Sequence, residues 1–165
     1  AKESGYSEKF FEKNDERRGI FRSLFHMHSA AVPDDNLYLN GFSQDSLFKF
    51  QSDAILKAAD EGSCVFVGRC ADYVLRERKD VVSVFISASK RFRIDQIMAK
   101  QHLDVPAANK FIKQHESQRA SYYNYYTGKK WGAAESYDLC IDASVLGLQA
   151  TEKIIADFIR KRFGL

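Results

Sequence analysis

The sequence predicts an α/β fold in three layers, with a parallel sheet lying between helices. Three observations carry it. After Gly62, short apolar runs alternate with longer segments whose apolar residues recur every three or four positions, the pattern of right-handed crossover units. The run at 81–86, Val-Val-Ser-Val-Phe-Ile, is almost continuously apolar, as a parallel strand covered on both faces should be. Finally, the 165 residues are enough to bury roughly 70% of the unfolded surface around one core. No repeat, low-complexity stretch or linker divides them, so one domain spanning 1–165 is expected.

Taken in order, residues 7–15 predict a short helix with Ser7 as N-cap, its hydroxyl accepting an orphaned backbone N–H. Residues 16–41 mix Arg17, Arg18, Arg22, His26 and His28 with the breaker pair Val32-Pro33, which predicts irregular structure or short helices forming a flap. From Ser43 onward Leu47, Phe48, Ile55, Leu56 and Ala59 recur at helical spacing, and Gly62 stands where a left-handed C-cap belongs. Residues 64–67 follow as a first strand. A helix is expected at 71–78, a second strand at 81–86, and a helix at 90–101. Pro106, suited to a first turn, opens a long helix running to Tyr126. Residues 138–142 form the third strand. Residues 149–162 close the chain as an amphipathic helix with Ile154, Ile155, Phe158 and Ile159 inward and basic residues in its last turn. All three strands should be parallel, with their carboxyl ends on one side.

Composition narrows the functional classes. With 45% hydrophobic and 28% charged residues the chain is of ordinary globular type. No apolar run approaches the roughly 20 residues of a membrane span, and the opening Ala1-Lys2-Glu3 lacks a signal-peptide core. A soluble protein is expected. Cys64, Cys70 and Cys140 are odd in number and free of CxxC spacing, which supports neither a disulfide framework nor zinc and fits a reducing cytoplasm. His26, His28, His102 and His115 show no metal-ligand spacing, and no GxSxG occurs. A net charge of +3 is too mild to demand nucleic acid but suits a small phosphorylated ligand. The chain opens without Met, from which upstream sequence is expected.

In open parallel sheets ligands bind beyond the carboxyl ends of the strands. After the first expected strand comes Gly68-Arg69-Cys70-Ala71-Asp72. The glycine permits a close turn, the arginine offers a two-pronged donor to phosphate, and the aspartate can accept from a hydroxyl or orient the arginine. The same residues could instead form a surface ion pair. On the long helix Ala108, Ile112, His115, Arg119, Tyr122 and Tyr126 share one face by spacing, which places Arg119 on an inward stripe with either an anion or Glu116 as its partner. The segment Gly128-Lys129-Lys130-Trp131-Gly132 reads either as a mobile lid carrying positive charge or as a solvated basic turn with Trp131 packed beneath it. The aromatics Tyr122, Tyr123, Tyr125, Tyr126 and Trp131 lack an adjacent arginine stripe and read as packing rather than as a nucleic-acid platform.

Several ordered motifs together resemble the cytidylate kinase-like family, within the P-loop nucleoside monophosphate kinases. They are Gly68-Arg69-Cys70-Ala71-Asp72-Tyr73-Val74-Leu75; Val84-Phe85-Ile86-Ser87-Ala88-Ser89 with Arg93; Arg119-Ala120-Ser121-Tyr122-Tyr123; Tyr126-Thr127-Gly128-Lys129-Lys130-Trp131-Gly132; and Tyr137-Asp138-Leu139-Cys140-Ile141-Asp142. The resemblance covers residues 43–165. It implies a P-loop nucleoside monophosphate kinase fold, a helical lid at about 106–136, an acceptor-covering region at about 14–42, and phosphoryl transfer from ATP with Mg²⁺ to a nucleoside monophosphate, CMP first. By position, Arg69 would hold the acceptor phosphate and Asp72 would support it or the sugar, with Arg17 and Arg18 covering the acceptor. Arg93 would face the donor nucleotide. Arg119, with Lys129 and Lys130, would stabilise the transferring group, work that needs positioning and positive charge rather than a protein nucleophile.

One motif departs from the family. No GxxxxGK[ST] occurs, because Tyr123 stands where the first glycine and Lys130 where the Ser/Thr would be relative to Gly128-Lys129. The resemblance therefore implies either a loop upstream of Ala1 or a protein that binds nucleotide without turnover. A kinase of the same fold acting on another small metabolite is the further alternative.

Overall fold

A computed structural model of the chain describes residues 44–165. The expected helix at 7–15, the flap at 16–41, the acceptor-covering region and Arg17, Arg18 and Arg22 lie outside the described residues. The chain divides into two compact units, one ending at Val65 and the other spanning Phe66–Leu165.

In the first unit, helix α1 (Gln44–Glu61) buries Ile55, and Ser52 Oγ donates to the Phe48 carbonyl at 2.9 Å. Gly62 follows at φ 158°, so the expected left-handed cap is not formed. Residues 63–67 form no strand, which corrects the expectation for 64–67. A strand exists through its ladder of partners, and none is paired with this run among the described residues. Val65 and Val67 are 91% and 90% exposed.

The second unit holds α2 (Ala71–Val74), β1 (Val84–Ser87), α3 (Lys90–Gln101), α4 (Val105–Thr127), a 3-10 turn (Ala134–Ser136), β2 (Leu139–Asp142), α5 (Ala143–Leu146) and α6 (Leu148–Phe163). Local chemistry sets most of these limits. Ser89 caps α3, its Oγ accepting from Phe92 N, and His102 ends that helix in a left-handed conformation. Asp104 caps α4 by accepting from Ala107 N at 2.9 Å, Pro106 sits in its first turn, and Gly128 closes it at φ 67° with its N–H on the Asn124 carbonyl. Helix α2 is a single turn where residues 71–78 were expected to be helical. Arg76 lies over the Tyr73 ring and its Nη1 donates to the Tyr73 carbonyl at 2.8 Å, engaging the acceptor that a second turn would need.

Strands β1 and β2 pair in parallel, in register from Val84 opposite Leu139 to Ser87 opposite Asp142, with α3 and α4 between them in the chain. At their amino ends Ser83 N and Oγ both donate to the Asp138 carboxylate, at 2.7 and 2.8 Å. At their carboxyl ends Ser89 N donates to Ser144 Oγ at 3.1 Å. Among the described residues the result is an α/β unit with a two-stranded parallel sheet. Ile86 is 54% exposed, so β1 is not covered on both faces as its apolar run suggested. Cys70, Ala71, Leu75, Ile94, Ala108, Tyr123 and Ala143 form the buried interior of this unit, and α3 packs against α4. Among the described residues no helix is long and apolar enough to cross a membrane.

Candidate functional site

Gly68, Arg69 and Cys70 adopt φ values of 71°, 56° and 55°, three left-handed residues in succession. For the two that carry a Cβ this costs about 1 kcal/mol or more each, so other contacts must hold the turn. Cys70 is 3% exposed. Its carbonyl starts α2 by accepting from Tyr73 N at 3.0 Å and Val74 N at 2.9 Å. The turn thereby places Arg69 and Asp72, both half-buried, on either side of a buried thiol.

Two adjacent tyrosines of α4 clamp them. Tyr123 donates its hydroxyl proton to Asp72 Oδ2 at 2.7 Å, and Arg69 hydrogen-bonds to the Tyr122 hydroxyl. Burial is the main force on the thiol and on both tyrosines. It pushes the Cys70 thiol up to about 12, with the Asp72 carboxylate adding and Arg69 opposing. It likewise pushes Tyr122 up to about 12, with Cys70 adding and Arg69 opposing. Tyr123 is raised still further by burial and then by its bond to Asp72. Both tyrosines and the thiol are therefore neutral at physiological pH.

Beyond α4 the basic segment is tied down at several points. Thr127 Oγ1 donates to the Tyr123 carbonyl at 2.7 Å and accepts from Lys129 N at 3.0 Å. Trp131 N donates to Asn124 Oδ1 at 2.7 Å, while the indole meets Phe85 of β1 edge to face with centroids 5.4 Å apart. Gly132, at φ 77°, crosses Phe85 so closely that a Cβ would lie 2.9 Å from its Cζ. Lys129 and Lys130 project from this anchored turn and are exposed, free to meet an anion.

Arg93 stands one turn into the helix that follows β1 and forms an ion pair with Glu116. Its charge also helps to lower the Asp142 carboxyl, although the Ser144 hydrogen bonds act more strongly there. Glu116 thus pairs with Arg93 and not with Arg119. Arg119 is exposed, contrary to its inward place by spacing, and among the described residues it has no ion pair. It falls between the two elements that meet α4, with α3 reaching Glu116 on one side and the 68–72 turn reaching Tyr122 and Tyr123 on the other.

The structure therefore gathers Arg69 and Asp72 into one group and places Arg93 with Glu116 and Asp142 in a second, at the carboxyl ends of the strands. Glu116 and Tyr123 lie seven residues apart, about 10 Å along one stripe of α4, with Arg119 between them. No group of three His, Cys, Asp or Glu suited to a metal occurs among the described residues. The sequence reading missed Tyr122 and Tyr123 as polar partners because it took them as packing. Their signal was the hydroxyl that a buried tyrosine must satisfy.

The crystal structure of an uncharacterised protein from Eubacterium ventriosum ATCC 27560 is similar in fold, with a TM-score of 0.68 and 28% identity over 70% of this chain and 73% of that one. No curated protein matches the chain. The model of the cytidylate kinase-like family matches residues 1–145, a span that contains the left-handed turn, its tyrosine clamp, the lysine turn and both strands, and the chain belongs to that family.

Proposed function

We propose that the intact protein transfers the γ-phosphoryl group of ATP to a nucleoside monophosphate, with CMP the first acceptor to consider, on a P-loop nucleoside monophosphate kinase fold. The carrying observation is the strained Gly68-Arg69-Cys70 turn, which tyrosines of α4 hold at both of its charged side chains. Backbone strain of this kind persists where the surroundings impose it, and it clusters at ligand sites. In this reading Arg69 binds the acceptor phosphate, and the Asp72 oxygen not used by Tyr123 accepts from the acceptor sugar or orients Arg69. Arg119, Lys129 and Lys130, all exposed, supply positive charge to the transferring group. Arg93 faces the donor. These donors fit phosphate oxygens. Mg²⁺, carried in with the ATP phosphates, would neutralise charge on the β- and γ-oxygens.

A second reading, a nucleotide-binding module without turnover, is favoured by one observation: GxxxxGK[ST] does not occur within these 165 residues. The experiment is an acceptor screen of the full-length protein with ATP, Mg²⁺, the nucleoside monophosphates and a panel of small alcohols. ADP formation dependent on CMP or another monophosphate is the expected result. Transfer to an alcohol alone would reassign the acceptor. Monophosphate binding without ADP formation would establish the second reading, and no binding at all would remove both.

A further inference from the structure

The last turn of α4 and the lysine segment share hydrogen bonds whose direction is fixed, because a main-chain N–H can only donate and a main-chain carbonyl can only accept. Gly128 N donates to the Asn124 carbonyl at 3.0 Å. Trp131 N donates to the Asn124 side chain at 2.7 Å, which makes Oδ1 the atom that faces it. Thr127 gives its single hydroxyl proton to the Tyr123 carbonyl at 2.7 Å and accepts from Lys129 N at 3.0 Å. Three of the four N–H groups from Gly128 to Trp131 therefore end on Asn124 or Thr127. Beyond the lysines, Ala133 N donates to the Lys130 carbonyl at 3.1 Å, and Trp131 and Gly132 rest on the Phe85 ring. The lysine backbone is held from both sides, by the end of α4 and by β1.

We propose that Asn124 and Thr127 are positioning residues for Lys129 and Lys130, holding the lysine backbone in register with the helix that carries Arg119. Neither side chain is charged, so neither adds attraction for a phosphate. What they set is the place from which two ammonium groups reach out. Charge that is already in place when phosphoryl transfer begins needs no reorganisation at the moment of reaction, and a displacement of about 1 Å can cost about 100-fold in rate. The inference deepens the proposed function and rests on its assignment of the two lysines to the transferring group.

The test uses the full-length protein. Asn124 is exposed and lies within a helix, where alanine is the better helix former, so Asn124→Ala should keep the fold. Without ligand it should speed amide exchange at Trp131 by about 3- to 10-fold, the range expected for one lost hydrogen bond. With ATP, Mg²⁺ and CMP it should lower kcat by about 10- to 100-fold while the acceptor KM stays within about 2-fold. Thr127→Val should repeat the loss of kcat, and Thr127→Ser, which keeps the hydroxyl, should restore it. In a background carrying Lys129→Ala and Lys130→Ala together, Asn124→Ala should cause no further loss. Unchanged Trp131 exchange in Asn124→Ala, an unchanged kcat in a protein whose lysine double variant is impaired, or an equal loss with and without the lysines would each overturn the positioning role alone. No turnover by the unaltered protein, or full activity of the lysine double variant, would remove the reading beneath the proposal and the proposal with it.

Discussion

The two halves of α4 are one continuous helix, yet they are tied to their surroundings by different physics. In the first half Ala108 is fully buried, and the polar link to α3 is the Arg93–Glu116 ion pair, whose side chains are 35% and 36% exposed. A pair that open to solvent contributes little, about 1 kcal/mol or less. In the second half Tyr123 is 5% exposed and makes an oriented bond to a carboxylate, and removing that carboxylate would leave the tyrosine hydroxyl buried and unsatisfied. The first half is held by packing that tolerates loss of its charges. The second is a template that forces a strained turn into place, and Arg119, between the two, belongs to neither.

The sharpest way to break this comparison is at Arg119. Because it has no ion pair among the described residues, Arg119→Ala should leave Tm unchanged while lowering kcat by ~10³-fold or more in the active full-length protein, the scale of other charge-stabilising arginines. A drop in Tm with kcat preserved would return Arg119 to the scaffold. Gly132→Ala should come next. Its Cβ would meet Phe85 Cζ at 2.9 Å on a backbone at φ 77°, and chemical denaturation should show a loss of about 1–3 kcal/mol. Glu116→Gln should have the smallest effect, under about 1 kcal/mol, with no change in the KM for the acceptor. A larger loss there would mean that the two halves are held alike.

What the sequence made legible follows the range of the forces involved. The helix at 90–101 was readable to the residue, and the one beginning near Pro106 nearly so, because Ser89, Asp104, Pro106 and Gly128 act on their own neighbours. The parallel pairing of β1 with β2 was readable from two apolar runs separated by helices. The run at 64–67 carried the same signal and forms no strand, since a strand is a property of its partner as much as of its own residues. At the site, Arg69 and Asp72 were legible from a glycine-led turn. Their tyrosine partners were not, because Asp72 and Tyr123 lie 51 residues apart and nothing local distinguishes a packing tyrosine from one that clamps a carboxylate. The alternative that paired Arg119 with Glu116 looked only to the neighbour three residues away, whereas Arg93 reaches Glu116 from another helix.

The central claim is that the left-handed turn presents Arg69 to the phosphate of a nucleoside monophosphate. Calorimetric titration of CMP into the full-length protein and its Arg69→Ala variant tests it most directly. Loss of a charged hydrogen bond worth about 1.5–3 kcal/mol should weaken binding by about 10- to 100-fold, with the far-ultraviolet spectrum unchanged because the turn is also held by Cys70 and by the Tyr123–Asp72 bond. Unchanged CMP affinity in Arg69→Ala would contradict the account, since the turn would then be strained for some purpose other than holding that phosphate.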